Sequence, residues 1–287
     1  MIDYSDCERA APMGNSPADF QPIPHNNVKA FFKSSNSTNS PPPMWRRNTT
    51  TVHYGPGADV PTTICSLTFN IPEDIGPPVL FYYRLTNFYQ NHRRYVKSLD
   101  TSQLQGVAVS SDAIDKGSCT PLRLAPNGKP YYPCGLIANS LFNDTFHSPI
   151  RVGGANNQTY TMTDKGISWD SDKALYGPTK YKVDEIAVPP NWGKRWANGS
   201  YTVDHPPPNL KDDEAFQVWM RTAGLPTFSK LALRNDNDSM TSGMYQVDIG
   251  FSTHQSIWNG SHVLIFKQIF PLQNMEARSP LSSPHGP

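Results

Sequence analysis

The stretch TTICSLTFNI, residues 62–71, decides the fold class, because an apolar residue recurs at every second position. The recurring set is Cys65, Leu67, Phe69 and Ile71. Successive side chains of a β-strand point to opposite faces of the sheet, so this spacing predicts a strand with one apolar face. We therefore take β-structure as the basis of the fold.

Strand-like patterns continue outward from this stretch. The turn signal PEDIGPP is followed by VLFYYRLTNFY (79–89), and five later segments are also rich in aromatic and β-branched residues: GISWDSD (166–172), AFQVWMRTAG (215–224), FSKLALR (228–234), MYQVDIGFS (244–252) and SHVLIFKQIF (261–270). The chain has 28 prolines, and proline breaks both helix interiors and central strands. These features predict a mainly β fold, an antiparallel β-sandwich with a few short helices and long proline-rich loops.

Residues 8–62 contrast with these segments. They include KSSNSTNSPPPMWRRNTTT, in which Ser, Asn, Thr and Pro dominate and no apolar periodicity appears. Such composition is typical of irregular surface segments. We therefore expect a long polar loop over residues 8–62.

The stretch LTNFYQNHRRYVKSL, residues 85–99, combines aromatic rings with a histidine and three fixed positive charges. Along this stretch the residue pattern changes from the two-residue period of a strand to the interval of a helix. This change predicts a short helix with outward charges and with rings packed on the sheet. Gly106 follows closely and is suited to end this helical region. The net charge of the chain is only +1, which argues against a nucleic-acid site because such domains carry a clear basic excess.

Sequons and cysteines point to an oxidising, glycosylating compartment. Seven asparagines stand in Asn-x-Ser/Thr sequons: Asn36, Asn48, Asn143, Asn157, Asn198, Asn237 and Asn259. The four cysteines, Cys7, Cys65, Cys119 and Cys134, form an even number that is compatible with two disulfides, although four reduced core thiols are the alternative. Cys119 and Cys134 bracket the turn signal PNGKP, so a disulfide between them would close a compact loop. The chain lacks a CxxC pair, which argues against a zinc site.

Neither a signal peptide nor a transmembrane span is recognisable in the sequence. The chain begins MIDYSDCERA, without an apolar region, and its best candidate for a span, VLIFKQIF, is too short to cross a bilayer. Sequons without any means of reaching the lumen lead us to expect that a signal or an anchor is missing from this chain.

Motifs for catalysis are also lacking. The acidic clusters Glu73-Asp74, Asp184-Glu185 and Asp212-Asp213-Glu214 adjoin turn residues, so we interpret them as solvated loop charge. A non-catalytic binding or scaffolding protein without a cofactor or metal is therefore favoured. Two alternatives remain open at this point. One is a secreted carbohydrate-active enzyme with a carboxylate pair. The other is a lectin-like module with Trp192, Trp196 and Trp219 as sugar platforms, although the tryptophan-containing motifs VWMRT and NWGKRW are more typical of core packing.

Several long motifs occur in an order that resembles one family. They are DYSDC, LTNFYQNHRRYVKSLD, SQLQG, YYPCGLIANSLFNDTF, VPPNWGKRW and QVWMRTAGLPTFSKL. This set resembles the cell division control protein 50 family, also called ligand-effect modulators. Its members are non-catalytic subunits of the type IV P-type ATPases that transport phospholipid.

The resemblance implies a membrane glycoprotein of the secretory pathway, in the endoplasmic reticulum, Golgi, endosome or plasma membrane. This chain would be a single exoplasmic ectodomain over residues 1–287, without the two flanking transmembrane helices. Within it, residues 8–62 would be an insertion, residues 63–252 the family-like β core and residues 253–287 a divergent tail. By the same resemblance, Cys7 would pair with Cys65, and Cys119 with Cys134.

The resemblance also implies what the chain binds. The partner would be the catalytic subunit of the ATPase, whose folding, exit from the endoplasmic reticulum and phospholipid transport the chain would support. We expect Arg93, Arg94 and Lys97 to face that partner, because the exoplasmic leaflet is poor in anionic lipid.

Overall fold

The computed structural model describes residues 1–32, 41–154, 156–251 and 262–268. Within these residues the regular structure consists of eleven strands, seven short α-helices and four 3-10 helices. The strands are β1 (Ile2–Asp3), β2 (Gln21–Pro22), β3 (Met44–His53), β4 (Asp59–Ile71), β5 (Val79–Leu85), β6 (Thr145–Phe146), β7 (Ile150–Val152), β8 (Gln158–Thr159), β9 (Phe228–Asn235), β10 (Gly243–Phe251) and β11 (His262–Gln268). The helices are α1 (Cys7–Ala10), α2 (Arg93–Val96), α3 (Thr101–Leu104), α4 (Ser111–Lys116), α5 (Leu136–Asn139), α6 (Asp170–Lys173) and α7 (Glu214–Met220).

The strands form two antiparallel sheets. One sheet has four strands in the order β1-β11-β5-β9. The other has the order β2-β3-β4-β10-β7-β8, with β6 also paired to β10. The longest ladders join β4 to β3 and to β10, so the predicted strand at residues 62–71 is the centre of the larger sheet.

The inner faces of the two sheets share one apolar core. Leu67 and Val247 of the larger sheet are fully buried together with Phe81 and Leu264 of the smaller one. The predicted alternation in β4 is confirmed, since Cys65, Leu67, Phe69 and Ile71 are all buried in this core. The predicted antiparallel sandwich with short helices is therefore confirmed.

A second apolar cluster lies in what we call the helical layer, residues 86–144 and 164–227. Its members are mainly aromatic and include Tyr95, Trp192, Phe216 and Trp219. The layer packs against the far half of β5, because Tyr83 and Leu85 belong to this cluster while Val79 and Phe81 belong to the sandwich core. Stacking of Tyr83 on Phe142, with ring centroids 4.2 Å apart, contributes to this junction.

The prediction of a long polar loop over residues 8–62 is wrong for much of its length. Residues 44–53 form β3, which pairs with β4 from Met44↔Thr68 to His53↔Asp59. Trp45 and Ile23 are buried in the sandwich core. The polar composition was misleading, because Thr49, Thr50 and Thr51 are β-branched residues that suit the exposed face of a strand.

Two predicted strands are helices. AFQVWMRTAG contains α7, whose first turn is capped by the Asp213 side chain, which accepts a hydrogen bond from the N–H of Phe216. Phe216, Trp219 and Met220 are buried at the intervals of one helix face. GISWDSD enters α6 at Asp170. The strands expected in the three other late segments are present as β9, β10 and β11, and VLFYYRLTNFY is a strand as far as Leu85.

The predicted short helix in residues 85–99 is present as the single turn of α2. The helical region does end near Gly106, which adopts a φ of +94° where a Cβ atom would meet the carbonyl oxygen of Pro178 at 2.2 Å. Among the helices of the described residues, none has the length and apolar character that a membrane crossing demands.

Candidate partner-contact surface

The α2 region is held to the helical layer by two aromatic rings. Phe88 contacts Tyr95 edge to face, with centroids 5.8 Å apart, and its ring lies at the same distance from that of Trp219. The Tyr95 hydroxyl lies 2.8 Å from the Ser140 hydroxyl, and burial raises the pKa of Tyr95 to about 12. These contacts confirm that rings of the stretch pack inward, and they fix the orientation of α2.

A loop of the chain, residues 223–226, runs beside the entrance to α2. The buried Gln90 side chain accepts a hydrogen bond of 2.8 Å from the N–H of Ala223. The Asn91 side chain donates to the carbonyl oxygen of Gly224 at 3.0 Å, and the N–H of Phe88 donates to Pro226 at 3.0 Å. The loop and the α2 region therefore present one continuous surface.

The cations of α2 face outward from this frame. Arg93, Arg94 and Lys97 are all exposed. Within the described part of the chain, no acidic side chain forms an ion pair with any of them. Since these three cations form no ion pair with a described residue, their charge is available to a binding partner.

Two apolar side chains accompany these cations. Tyr89 is 56% exposed, and Leu225 in the neighbouring loop is 70% exposed. We call the set Tyr89, Arg93, Arg94, Lys97 and Leu225 the α2 surface. Sequence reasoning placed the Tyr89 ring against the sheet and overlooked Leu225, because the hydrogen bonds that bring residues 223–226 beside α2 span more than 130 residues.

Lys230 supports the loop from beneath. Its ammonium group donates to the carbonyl oxygens of Val218, at 2.9 Å, and of Arg221, which close the C-terminal end of α7. Burial lowers the pKa of Lys230 to about 8, because the charged form is penalised away from water. The lysine thus links β9 to the start of the loop that carries Leu225.

An exposed tryptophan lies at the start of α6. The Arg221 guanidinium lies over the Trp169 ring, 3.4 Å from its centroid, and also 3.4 Å from a carboxylate oxygen of Asp172. Trp169 is nevertheless 61% exposed. Arg221 lies two residues before the 223–226 loop, so this contact joins the start of α6 to the chain that enters the loop.

The structure contains two disulfides, Cys7–Cys65 and Cys119–Cys134, which are the pairs that the family resemblance implied. The first ties α1 to β4, and the second closes the loop around PNGKP. All four cysteines are buried.

The predicted glycosylation sites differ in accessibility. Asn157, Asn198 and Asn237 are exposed, whereas Asn48 and Asn143 are half-buried. The Asn48 amide nitrogen donates to Asn15 at 2.7 Å. Asn36 and Asn259 lie outside the described residues.

The residues of the carbohydrate alternatives have structural roles instead. Trp192, Trp196 and Trp219 are buried and are therefore unavailable as sugar platforms. The acidic clusters are engaged locally: Asp74 accepts from the N–H of Ser242, and Glu185 accepts from that of Lys182. The three sugar-platform assignments are thus wrong.

Glu214 and Asp213 of the third acidic cluster stabilise α7 and its neighbour α6. Burial alone would raise the pKa of Glu214, but the N–H of Ser168 and the ammonium of Lys173 outweigh it and hold that pKa below its ordinary value. The Lys173 nitrogen lies 3.0 Å from the Glu214 carboxylate.

Within the described residues, no group of three or more His, Cys, Asp or Glu side chains is arranged to hold a metal ion.

Fold and surface together define a disulfide-bonded β-sandwich protein whose helical layer presents an outward-facing basic and apolar surface. Comparison with known proteins gives this class a family. The model of the LEM3 (ligand-effect modulator 3) family / CDC50 family matches residues 1–271, and the chain belongs to this family.

Named relatives come from fungi and animals. The phospholipid-transporting ATPase accessory subunit CDC50 of Chaetomium thermophilum is 41% identical over 285 residues, which are 97% of this chain and 68% of that protein. The accessory subunit CRF1 of Saccharomyces cerevisiae is 40% identical over 87% of this chain and 58% of its own length. Human cell cycle control protein 50B is 36% identical over 73% of this chain and 62% of its own length. The chain thus spans between 58% and 68% of the length of these relatives.

These matches correct the expected division of the sequence. The tail was expected to diverge from the family after residue 252, but the family match continues to residue 271. The match also runs through residues 8–62, where the structure has β3 in place of the expected loop.

Proposed function

We propose that this chain acts as the accessory subunit of a P-type ATPase that transports phospholipid across a bilayer. The observation that carries the proposal is its membership of a family whose similar fungal proteins are named accessory subunits of phospholipid-transporting ATPases. In this role the chain supports the folding, the exit from the endoplasmic reticulum and the transport cycle of its catalytic partner. The chain itself is non-catalytic and lies on the lumenal or extracellular side of the membrane, as a single ectodomain.

The α2 surface is the part of the chain that we assign to the partner. Its three cations have no acidic partner within the described residues, and its frame is fixed by the Phe88–Tyr95 pair. Acidic side chains on the catalytic subunit would complement these cations. Tyr89 and Leu225 would supply the apolar area that interfaces need beside their charges.

Purification from membranes of the native host tests the subunit role. The tagged full-length protein is extracted in mild detergent, and the bound proteins are identified by mass spectrometry. Recovery of a P-type ATPase in near-equal amount is the expected result. Recovery of the protein alone, under conditions that preserve other membrane complexes, would remove the subunit role.

A pair of double variants then tests the α2 surface. Arg93→Ala with Arg94→Ala removes two outward charges and should reduce recovery of the ATPase roughly tenfold or more, because rim and core cations of an interface affect both encounter and stability. The matched control is Lys180→Ala with Lys182→Ala, two exposed cations elsewhere in the helical layer. Equal recovery with both double variants would exclude α2 from the interface without touching the subunit role.

A further inference from the structure

The outer edge of β3, on the side away from β4, is covered along only part of its length. β2 pairs with the first two residues of the strand. Next to them, the N–H of Arg47 donates to the carbonyl oxygen of Pro12 at 2.8 Å, and the Arg47 carbonyl oxygen accepts from Gly14 at 2.9 Å. Past Arg47, no described residue pairs with β3 on this side. We call residues 48–53 on this side the open edge.

The ladder with β4 shows which backbone groups the open edge leaves exposed. In an antiparallel ladder the N–H and C=O of one residue point to the same side, and successive residues alternate. Since Arg47 directs both groups away from β4, those of Thr49, Thr51 and His53 point the same way. Pro61 agrees with this alternation, because it lies opposite Thr51, where the ladder needs no N–H. These outward donors and acceptors make no hydrogen bond to a described residue.

The side chains of the open edge do not keep another strand away. Natural edge strands usually carry charged residues, prolines or bulges that prevent pairing. From Asn48 to Val52 the sequence has neither a charge nor a proline, and the register with β4 is unbroken. Thr49, Thr50 and Thr51 are exposed, and β-branched residues favour strand pairing. The composition is therefore that of a strand that can pair on both sides.

We propose that the open edge pairs with the open edge of a second copy of the chain, in an antiparallel dimer whose two-fold axis passes beside Thr51. The arrangement is self-complementary, because the axis places Thr51 opposite its own copy and Thr49 opposite His53 of the second copy. Every outward N–H then meets an outward carbonyl oxygen. On one face, Thr50 lies beside Val52 of the second copy, a pair of β-branched side chains that stabilises a ladder.

An exposed methionine marks where the second copy would extend. Met13 forms a bridge with Arg47, at the inner end of the open edge, and is 61% exposed. The two-fold axis brings the hairpin turn of the second copy, residues 54–58, alongside this side chain. Covering Met13 would add apolar contact to the backbone hydrogen bonds.

The contact is small, so the dimer should be weak. A stable interface buries at least about 1,200 Å², and a short stretch of paired strand with one methionine buries less. Association is therefore expected only as the protein becomes concentrated. A glycan on Asn48, at the start of the open edge, would hinder it. The inference does not depend on the subunit role, because it rests on the backbone and the composition of β3 alone.

Thr51→Pro tests the pairing without disturbing the ladder between β3 and β4, because the N–H that it removes points away from β4. Each copy loses its central donor, so the association should weaken roughly tenfold. The matched control, Thr51→Val, keeps the N–H and the β-branched shape and should associate like the wild type. Sedimentation velocity of the full chain at increasing concentration measures the association, after the N-glycans have been trimmed with an endoglycosidase.

A pair of charge variants keeps the proposal testable if the proline disturbs folding. Thr51→Lys and Thr51→Glu each place like charges opposite each other at the axis, so each alone should associate roughly tenfold more weakly than the wild type. A mixture of the two should restore association, since opposite charges then face each other.

Two results would overturn the proposal directly: a wild-type monomer at every concentration, or association that none of these variants weakens. A third would reassign the open edge. If the chain is monomeric alone but its Thr51 amide is protected from hydrogen exchange in the purified ATPase complex, the catalytic subunit and not a second copy pairs with β3.

Discussion

The sandwich and the helical layer bury their apolar residues by different means. In the sandwich, long β-ladders bring the apolar faces together: β4 and β10 pair over nine consecutive positions, from Gly243↔Ile71 to Phe251↔Thr63. In the helical layer, the helices have at most seven residues, and large rings reach across the chain to backbone carbonyls. The indole N–H of Trp219 donates to Ile137 at 2.8 Å, and that of Trp192 donates to Ala138 at 3.0 Å.

The two regions are therefore held together by different interactions. A ladder is built from backbone groups that every residue has, so many sequences with the right alternation can form it. The helical layer depends on individual aromatic side chains that fill the core and donate hydrogen bonds to the backbone carbonyl oxygens of α5. Single substitutions should therefore separate the two regions.

The largest effect should follow Trp219→Ala. Trp219 is fully buried, and its loss should lower the free energy of unfolding by about 5 kcal/mol, through the cavity that it leaves and the lost hydrogen bond to the Ile137 carbonyl. Hydrogen exchange should then accelerate across the helical layer while β4 and β10 stay protected. The matched sandwich variant Leu67→Ala should cost about 3 kcal/mol and accelerate exchange in both sheets.

Equal loss of protection in β4 and in the helical layer after Trp219→Ala would break the comparison. It would mean that the two clusters unfold as one cooperative unit.

The disulfides should show a smaller contrast. Their cysteines are 58 and 15 residues apart, and the longer loop loses more conformational entropy when it is closed. Cys7→Ser with Cys65→Ser should therefore cost about 4 kcal/mol, and Cys119→Ser with Cys134→Ser about 3 kcal/mol. Urea denaturation of both double variants checks the order, and the reverse order would show that the sandwich holds residues 7–65 in place without the covalent link.

The smallest effect concerns pH and Lys230, which joins the two regions. Its pKa of about 8 lies below the ordinary lysine pKa of 10.5, so the unfolded chain binds more protons than the folded chain between these values. Stability from this group must therefore rise with pH, by about 1 kcal/mol between pH 7.5 and 9. Denaturant unfolding across this range should show the rise in the wild type and lose it in Lys230→Met, and an identical slope in both would contradict a buried ammonium.

The sandwich could be predicted from the sequence because its pattern is local. Alternation at residues 62–71 and the β-rich runs at 228–234 and 244–252 are visible within ten residues. Strand β3, which lies between β2 and β4, escaped prediction because its polar side chains carry little periodicity. The position of β3 is fixed by its pairing with β4 and by Trp45, which is buried in the core.

The helical layer was harder to predict because individual side-chain contacts, and not a local pattern, determine its structure. AFQVWMRTAG is rich in β-formers, and only the Asp213 cap and the Phe216–Trp219–Met220 spacing reveal a helix. The charges of the α2 surface were visible in the sequence. Its apolar member Leu225 was not, because hydrogen bonds such as that from Asn91 to Gly224 assemble the surface over long separations.

The most direct test of the account is ATP hydrolysis by the partner ATPase, purified with and without this protein from the same host. We predict phospholipid-stimulated hydrolysis only when the full-length protein is present, with reduced stimulation for Arg93→Ala/Arg94→Ala and none from the protein alone. Equal stimulated hydrolysis by the ATPase in the absence of the protein would contradict its role as an accessory subunit.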